Sequence, residues 1–198
     1  MLIIERMTHP VVTIPADLTV EQALEVMEES EIRHLPILNE DETLAGIVTE
    51  RDLLRARSGE IVKNVMPPGV ITAGEYTTLE EAARMMADHN ISSLPVVRSN
   101  RLVGIITEND LFRIFLELLG ARERGTRLTM LVPEEKGILA SVTSEIASMG
   151  GNILTLGTFQ GEDPTNRLVT VKVSDVSQEK LVAIMEALGM EIVDVRED

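Results

Sequence analysis

The sequence predicts an α+β chain in two parts. A β-α-β-β-α unit occurs twice within residues 1–120, and a β-α-β-β-α-β unit fills residues 127–198. Three observations predict this. "GIVTERDLL" from Gly46 returns as "GIITENDLF" from Gly104, 58 residues later. The echo runs through most of the first 120 residues, and a fixed-offset repeat is the signature of a duplicated structural unit. After Gly120 the echo stops and a different alternation of strand-like and helix-like periods begins.

In the first part each element has a local cause. "VVT" from Val11 and "VIT" from Val70 read as extended entry segments. Helices follow at Thr19 and Thr78, each opened by a capping box (Thr19 with Gln22, Thr78 with Glu81) in which the hydroxyl accepts from the third amide and the longer side chain reaches back. Val20, Leu24 and Met27 give the first helix a single apolar stripe. "LPIL" and "LAGIVT" form two short strands around the polar turn "NEDE". The offset between copies falls from 59 to 58 at this turn, where a lost residue costs least. Second helices start at Thr49 and Thr107. The expected limits are 1–61 for the first copy, 62–120 for the second and 121–126 for a polar linker.

In the second part "RLTMLVP" is a strand, and "GILASVTSEIASMGG" is a helix with Ile138, Val142, Ile146 and Met149 on one side and two glycines to stop it. "NILTLGTF" and "RLVTVKV" are strands around the loop "QGEDPTN". "SQEKLVAIMEALG" is a helix and "MEIVDV" a last strand. The order β-α-β-β-α-β is the ferredoxin-like plan.

Composition excludes several functions. The 198 residues carry 18 basic and 33 acidic side chains, a net charge of −15, and both parts share the excess. Such a field repels phosphate backbones, so no nucleic-acid partner is expected. Only Tyr76, Phe112, Phe115 and Phe159 are aromatic, which leaves no base-stacking platform and makes the cores aliphatic. There is no cysteine, hence no disulfide framework and no thiol nucleophile. No apolar run reaches the roughly 18 residues of a membrane helix. A cytoplasmic protein without a membrane partner is expected. His9, His34 and His89 lack ligand spacing, and neither a P-loop nor a nucleophile elbow is present, so neither metal nor catalysis is expected.

"MTHPVVTI", "IRHLPIL" and "GIVTERDL", with "MPPGVIT", "ISSLPVV" and "GIITENDL", resemble a tandem CBS pair, or Bateman module. The resemblance implies a cleft between repeats that binds an adenosine-containing ligand such as AMP, ADP, ATP, S-adenosylmethionine or NAD. It assigns Thr107 and Asp110 with Val12, Arg33, His34 and Pro36 to one cleft, site B. It assigns Thr49 and Asp52 with Ile71, Ser92, Ser93 and Pro95 to the other, site A. Each Asp has two readings. It is a first-turn acid favoured by the helix dipole beside a Thr cap, or it accepts the ribose hydroxyls as acidic residues do in dinucleotide folds. The two can hold together. Arg33 and His34 read either as an exposed helix end or as phosphate ligands, the guanidinium fork matching phosphate oxygens. Ser92 and Ser93 carry no charge, so site B is expected to hold phosphate-bearing ligands more tightly. Arg51, Arg55, Arg57 and Lys63 form a basic run that reads as a solvated face or as further phosphate contacts.

"LVPEEKGILASVTSEIASMGGNI" in its β-α-β-β-α-β context resembles an ACT domain. That resemblance implies an amino-acid effector near Lys136, Gly137, Ile138 and Asn152, commonly across a dimer interface. Lys136 stands where the family frequently has Pro. The alternative is a helix-start glycine and a turn asparagine in a module that serves assembly. A CBS pair followed by an ACT domain resembles the small acetoin-utilisation regulatory proteins. It implies a non-catalytic regulatory homodimer that relays ligand binding to a partner, with a constitutive dimerisation or assembly module as the alternative.

Overall fold

The protein is described by a computed structural model over residues 1–161 and 163–197. It divides into two compact units, 1–112 and 113–198, and the division falls inside one helix.

In the first unit, β1 (Ile14–Pro15), α1 (Val20–Glu29), β2 (His34–Leu38), β3 (Leu44–Thr49) and α2 (Glu50–Arg55) form the first repeat. A short α3 (Val62–Val65) leads to β4 (Ala73–Gly74), α4 (Leu79–His89), β5 (Ser93–Arg98), β6 (Arg101–Thr107) and α5 (Glu108–Leu118). Each repeat has a three-stranded sheet, β1-β2-β3 and β4-β5-β6, with the first strand parallel and the third antiparallel to the middle one. The entry strands lie later than the sequence suggests. Pairing begins at Ile14 and Ala73, after "VVT" and "VIT", because these are the residues that turn into the core while Val12 stays 39 % exposed. Pro36 and Pro95 sit in middle strands at positions that the two-residue entry strands do not reach, so the missing N–H removes no ladder bond there.

The expected capping box closes at Thr19, where Gln22 N–H donates to the hydroxyl (3.3 Å) and Thr19 N–H donates to Gln22 Oε1 (3.0 Å). At Thr78 only half of it forms among the described residues, Glu81 N–H to Thr78 Oγ1 at 3.2 Å. α1 buries Val20, Ala23 and Met27 and leaves Leu24 at the core margin. The residue lost between copies is explained by the turns. Ser99 and Asn100 close β5–β6 as a two-residue turn with both φ positive (48° and 68°), the geometry that matches strand twist, whereas β2–β3 needs residues 39–43.

The repeats exchange their leading segments. Ile3 is fully buried and its N–H donates to Thr77 O (2.9 Å), Leu79 N–H donates to Met1 O (3.1 Å), and Thr8 and Ile105 exchange two backbone bonds (2.9 and 3.1 Å). The linker does the same for the first repeat: Val20 N–H donates to Glu60 O (2.9 Å) and Val62 N–H to Leu18 O (2.8 Å). The exchange explains the repeated glycine. A Cβ on Gly46 would overlap the sulfur of Met66, and one on Gly104 the sulfur of Met7.

The second unit follows the expected order: β7 (Thr126–Pro133), α6 (Ile138–Ser148), β8 (Asn152–Gln160), β9 (Asn166–Ser174), α7 (Gln178–Ala187) and β10 (Glu191–Glu197). Its antiparallel sheet runs β10-β7-β9-β8, and Leu128, Met130, Val142, Ile146, Val169, Val171, Leu181 and Met185 form an aliphatic core. Gly120, with φ +60°, stops α5, and the carbonyl of Glu117 takes its N–H (2.9 Å). The carbonyl of Gly120 accepts from Lys172 Nζ (3.1 Å), a lysine only 2 % exposed.

Candidate functional site

Two identical turns carry the acidic candidates. Thr49 ends β3 and caps α2. Its N–H and its hydroxyl both donate to Asp52 Oδ2 (2.9 and 2.6 Å), and Asp52 N–H donates back to the Thr49 hydroxyl (3.2 Å). Thr107 and Asp110 repeat this at the start of α5 (2.9, 2.7 and 3.3 Å). Aspartate thus closes a capping box despite its short side chain, and the helix N-terminus favours its negative charge. The cap uses one carboxylate oxygen. Oδ1 of each Asp has no hydrogen-bond partner among the described residues, and each side chain is half-buried. Each turn therefore retains one oriented anionic acceptor.

The strand register brings one residue of each segment before Leu-Pro to these turns. His34 pairs with Thr49 and Ser93 with Thr107. Across the repeats, His34 Nε2 lies 2.7 Å from Ser92 Oγ. Burial lowers the His34 pKa below its ordinary value, opposed by the charges of Glu108, Asp110 and Asp52 and aided by Arg33. The neutral imidazole is favoured, although carboxylates of both turns act on it. Arg33 is extended into solvent, 3.8 Å from Glu50 and 83 % exposed, a loose pair. Ser93, Pro36 and Pro95 are buried, and Ile71 is half-buried. Arg51, Arg55, Arg57 and Lys63 are all exposed.

A cavity of about 420 Å³ opens beside Val12, lined by His9, Pro10, Val11, Thr13, Leu38, Glu42, Arg101, Leu102 and Val103. Its wall is β6, the strand that ends at Thr107. From Val103 to Thr107 is about 13 Å at the usual rise per residue. One strand therefore carries an apolar wall at one end and the Thr–Asp turn at the other. Val12 and Pro36 themselves do not line the cavity. Arg101 Nη1 donates to Glu42 (2.8 Å) and closes one side. Sequence reasoning singled out Val12 but not its neighbours Val11 and Thr13, which lie inside the repeated "VVT", nor "LV", which borders the repeated nonapeptide.

In the second unit a cavity of about 240 Å³ lies where β7 meets α6, lined by Glu134, Glu135, Gly137, Ile138, Leu139, Ala140, Thr158 and Arg167. Gly137 caps α6 with φ +93° and no side-chain partner. Arg167 donates to Glu134 (2.5 Å) and to Thr158 (3.4 Å). Of the four candidates, Gly137 and Ile138 line the cavity, and Lys136 is exposed beside it. Asn152 pairs with Ser174, eight registers from the Pro133–Asn166 pair, so within one chain it lies at the far end of the sheet. Glu134, Thr158 and Arg167 meet only through strand register and have no local sequence signal.

Among the described residues no cluster of three or more potential ligands is arranged to hold a metal, and no helix is long and apolar enough to cross a membrane.

Comparison with known proteins bears on the first unit. The CBS domain family matches residues 3–59 and 62–117. Homoserine O-acetyltransferase of Methanococcoides burtonii is 40 % identical over 111 residues, 54 % of this chain and 23 % of that protein. The chain thus spans about a quarter of the length of such a relative. The CBS domain pair of protein MJ0100, solved with 5′-methylthioadenosine and S-adenosyl-L-methionine, superposes with a TM-score of 0.57 and 31 % identity, covering 62 % of this chain and 98 % of that one. An acetoin utilisation protein (AcuB) from Vibrio cholerae gives 0.56 and 35 %, covering 62 % and 96 %. CBSX2, solved with AMP, gives 0.54 and 27 %, covering 60 % and 98 %.

Proposed function

This chain belongs to the CBS-domain family, and from that premise we propose that it is a non-catalytic regulator that senses an adenosine-containing ligand. AMP, ADP, ATP, S-adenosylmethionine and NAD are the candidates. Asp110 and Asp52 each use Oδ1 to accept ribose hydroxyls, while Oδ2 keeps the helix capped. In site B the adenine lies against Val11, Val12, Leu102 and Val103, and Arg33 and His34 take the phosphate. In site A the corresponding groups are Ile71, Ser92, Ser93 and Pro95. The observation that carries this reading is the pair of identical Thr–Asp turns, each with one carboxylate oxygen left over by the cap. The ligands of MJ0100 and CBSX2 support it by similarity.

Binding shifts an equilibrium between two shapes, and a regulated partner protein reads the shift. The ligand must bind the two shapes unequally for this to work. The second unit is an ACT domain in this reading. Its cavity at Gly137 and Ile138 takes an amino-acid effector, and Asn152 joins that site only from a second copy. The whole chain in this reading resembles acetoin-utilisation regulators, and AcuB supports it for the CBS pair alone, since that match covers 62 % of this chain.

A thermal-shift series tests the proposal, since a ligand that binds only the folded state raises the melting point. After removal of co-purified small molecules, at least one of the five compounds raises the melting temperature of the full chain. Asp52→Asn with Asp110→Asn, which keeps an oxygen for the cap, abolishes the shift. A flat response to all five compounds overturns the reading. It would favour the alternative of a constitutive homodimeric assembly module, which the exposed Phe112, Phe115 and Leu118 on α5 (58, 51 and 59 %) also favour.

A further inference from the structure

His34 belongs to the phosphate end of site B and Ser92 to that of site A, yet the two side chains share one hydrogen bond of 2.7 Å. The acids of both Thr–Asp turns act on this one imidazole, together with Glu108 at the start of α5. Cations are few. Arg33, which the nucleotide reading gives to site B alone, lies 3.8 Å from Glu50, and Ser92 and Ser93 bring no charge. One phosphate arriving here finds an imidazole N–H and a hydroxyl as donors. A second finds them occupied and meets a like charge, which disfavours two anions in one site. Resting on the nucleotide reading above, we propose that the two clefts share a single phosphate-accepting centre at His34 and Ser92. The chain therefore binds one phosphate-bearing nucleoside tightly and a second at least tenfold more weakly, whereas phosphate-free nucleosides fill the clefts independently.

Unequal clefts would give two AMP affinities without any sharing, so the test removes one cleft at a time. The full chain is titrated calorimetrically with AMP and with adenosine as wild type, Asp52→Asn and Asp110→Asn. Sharing predicts that AMP binds site A of Asp110→Asn at least tenfold more tightly than it binds in its second, weaker event on the wild type. Adenosine affinity at site A is the same in both. Sharing also predicts that the His34 ring resonances move on AMP addition to either variant. Equal AMP affinities within about twofold, or unmoved His34 resonances in Asp110→Asn, overturn sharing and leave the nucleotide reading intact. Absence of binding by both AMP and adenosine to the wild type overturns both. Should an Asn variant melt early, His34→Gln and Ser92→Ala carry the test. Sharing predicts that His34→Gln and Ser92→Ala both weaken the first, tighter AMP event with adenosine unchanged, and a Ser92→Ala loss confined to the second event overturns it.

Discussion

Met66 lies with its sulfur directly over Gly46, in the space a Cβ would occupy, as Met7 does over Gly104. Filling a packed site forces neighbours off their rotamers and typically costs about 1–3 kcal/mol. Gly46→Ala and Gly104→Ala are each expected to lower stability by up to that amount in urea denaturation, less as the flexible methionine swings aside. Met66→Ala is expected to offset part of the loss in Gly46→Ala and none in Gly104→Ala. The coupling energy of a double-mutant cycle, at least about 0.5 kcal/mol for residues in contact, measures this. Additive behaviour of Gly46→Ala and Met66→Ala would contradict the packing.

His34 gives the fold a pH dependence of known sign. Its folded pKa lies below the ordinary 6.5 because burial penalises the imidazolium. The neutral form is favoured in the folded state, so the unfolded state binds more protons. The associated stability is full above about pH 6.5 and is lost as pH falls through the folded pKa. Denaturation at pH 7.5 and 5.5 is expected to show a larger acid loss for the wild type than for His34→Gln. An equal loss in both would remove His34 from the balance.

Arg33 and Ser92 occupy equivalent positions in the two repeats but differ in charge. Arg33→Ala is expected to weaken AMP at site B about tenfold or more, the scale of a lost charge-assisted contact. Ser92→Ala is expected to weaken AMP less. Isothermal titration separates the two, and equal losses would argue against a charged phosphate position at Arg33.

Glu21 fastens the loop after α2. Its Oε1 accepts from the Ser58 hydroxyl (2.7 Å) and Gly59 N–H (3.0 Å), and these bonds, Ser58 first, hold its pKa down at about 2 from an ordinary 4.5. The folded pKa is depressed, so the stability it confers is present above about pH 4.5 and lost as pH falls toward 2. A carboxyl-resolved NMR titration is expected to find Glu21 still ionised at pH 3.5, and Ser58→Ala is expected to raise its midpoint. A midpoint near 4.5 in the wild type would mean that the bonds do not form in solution.

What the sequence discloses follows the range of the interaction. The Thr49–Asp52 and Thr107–Asp110 turns are one helical turn long, so spacing alone reveals them. The shortened Ser99–Asn100 turn is visible as a one-residue change of offset. "VVT" misleads because β-propensity says nothing of which residue meets the sheet, and that residue is Ile14. The Met–Gly contacts leave both partners visible as repeats but not their crossing, which is set by contacts dozens of residues apart. Arg167 reaches Glu134 only through the β7–β9 register, and neither residue's neighbourhood announces it.

The traded leading segments bear on how the pair can be taken apart. A fragment ending at Gly59 loses Glu60, Val62 and Met66, which cover the first repeat, and carries away Ile3, Met7 and Thr8, which cover the second. Mixed in solution, the fragments lose the effective concentration, of about millimolar order, that the tether supplies. The smallest autonomous piece of this half of the protein is therefore the doubled one. Any truncation library should cut only after the second copy.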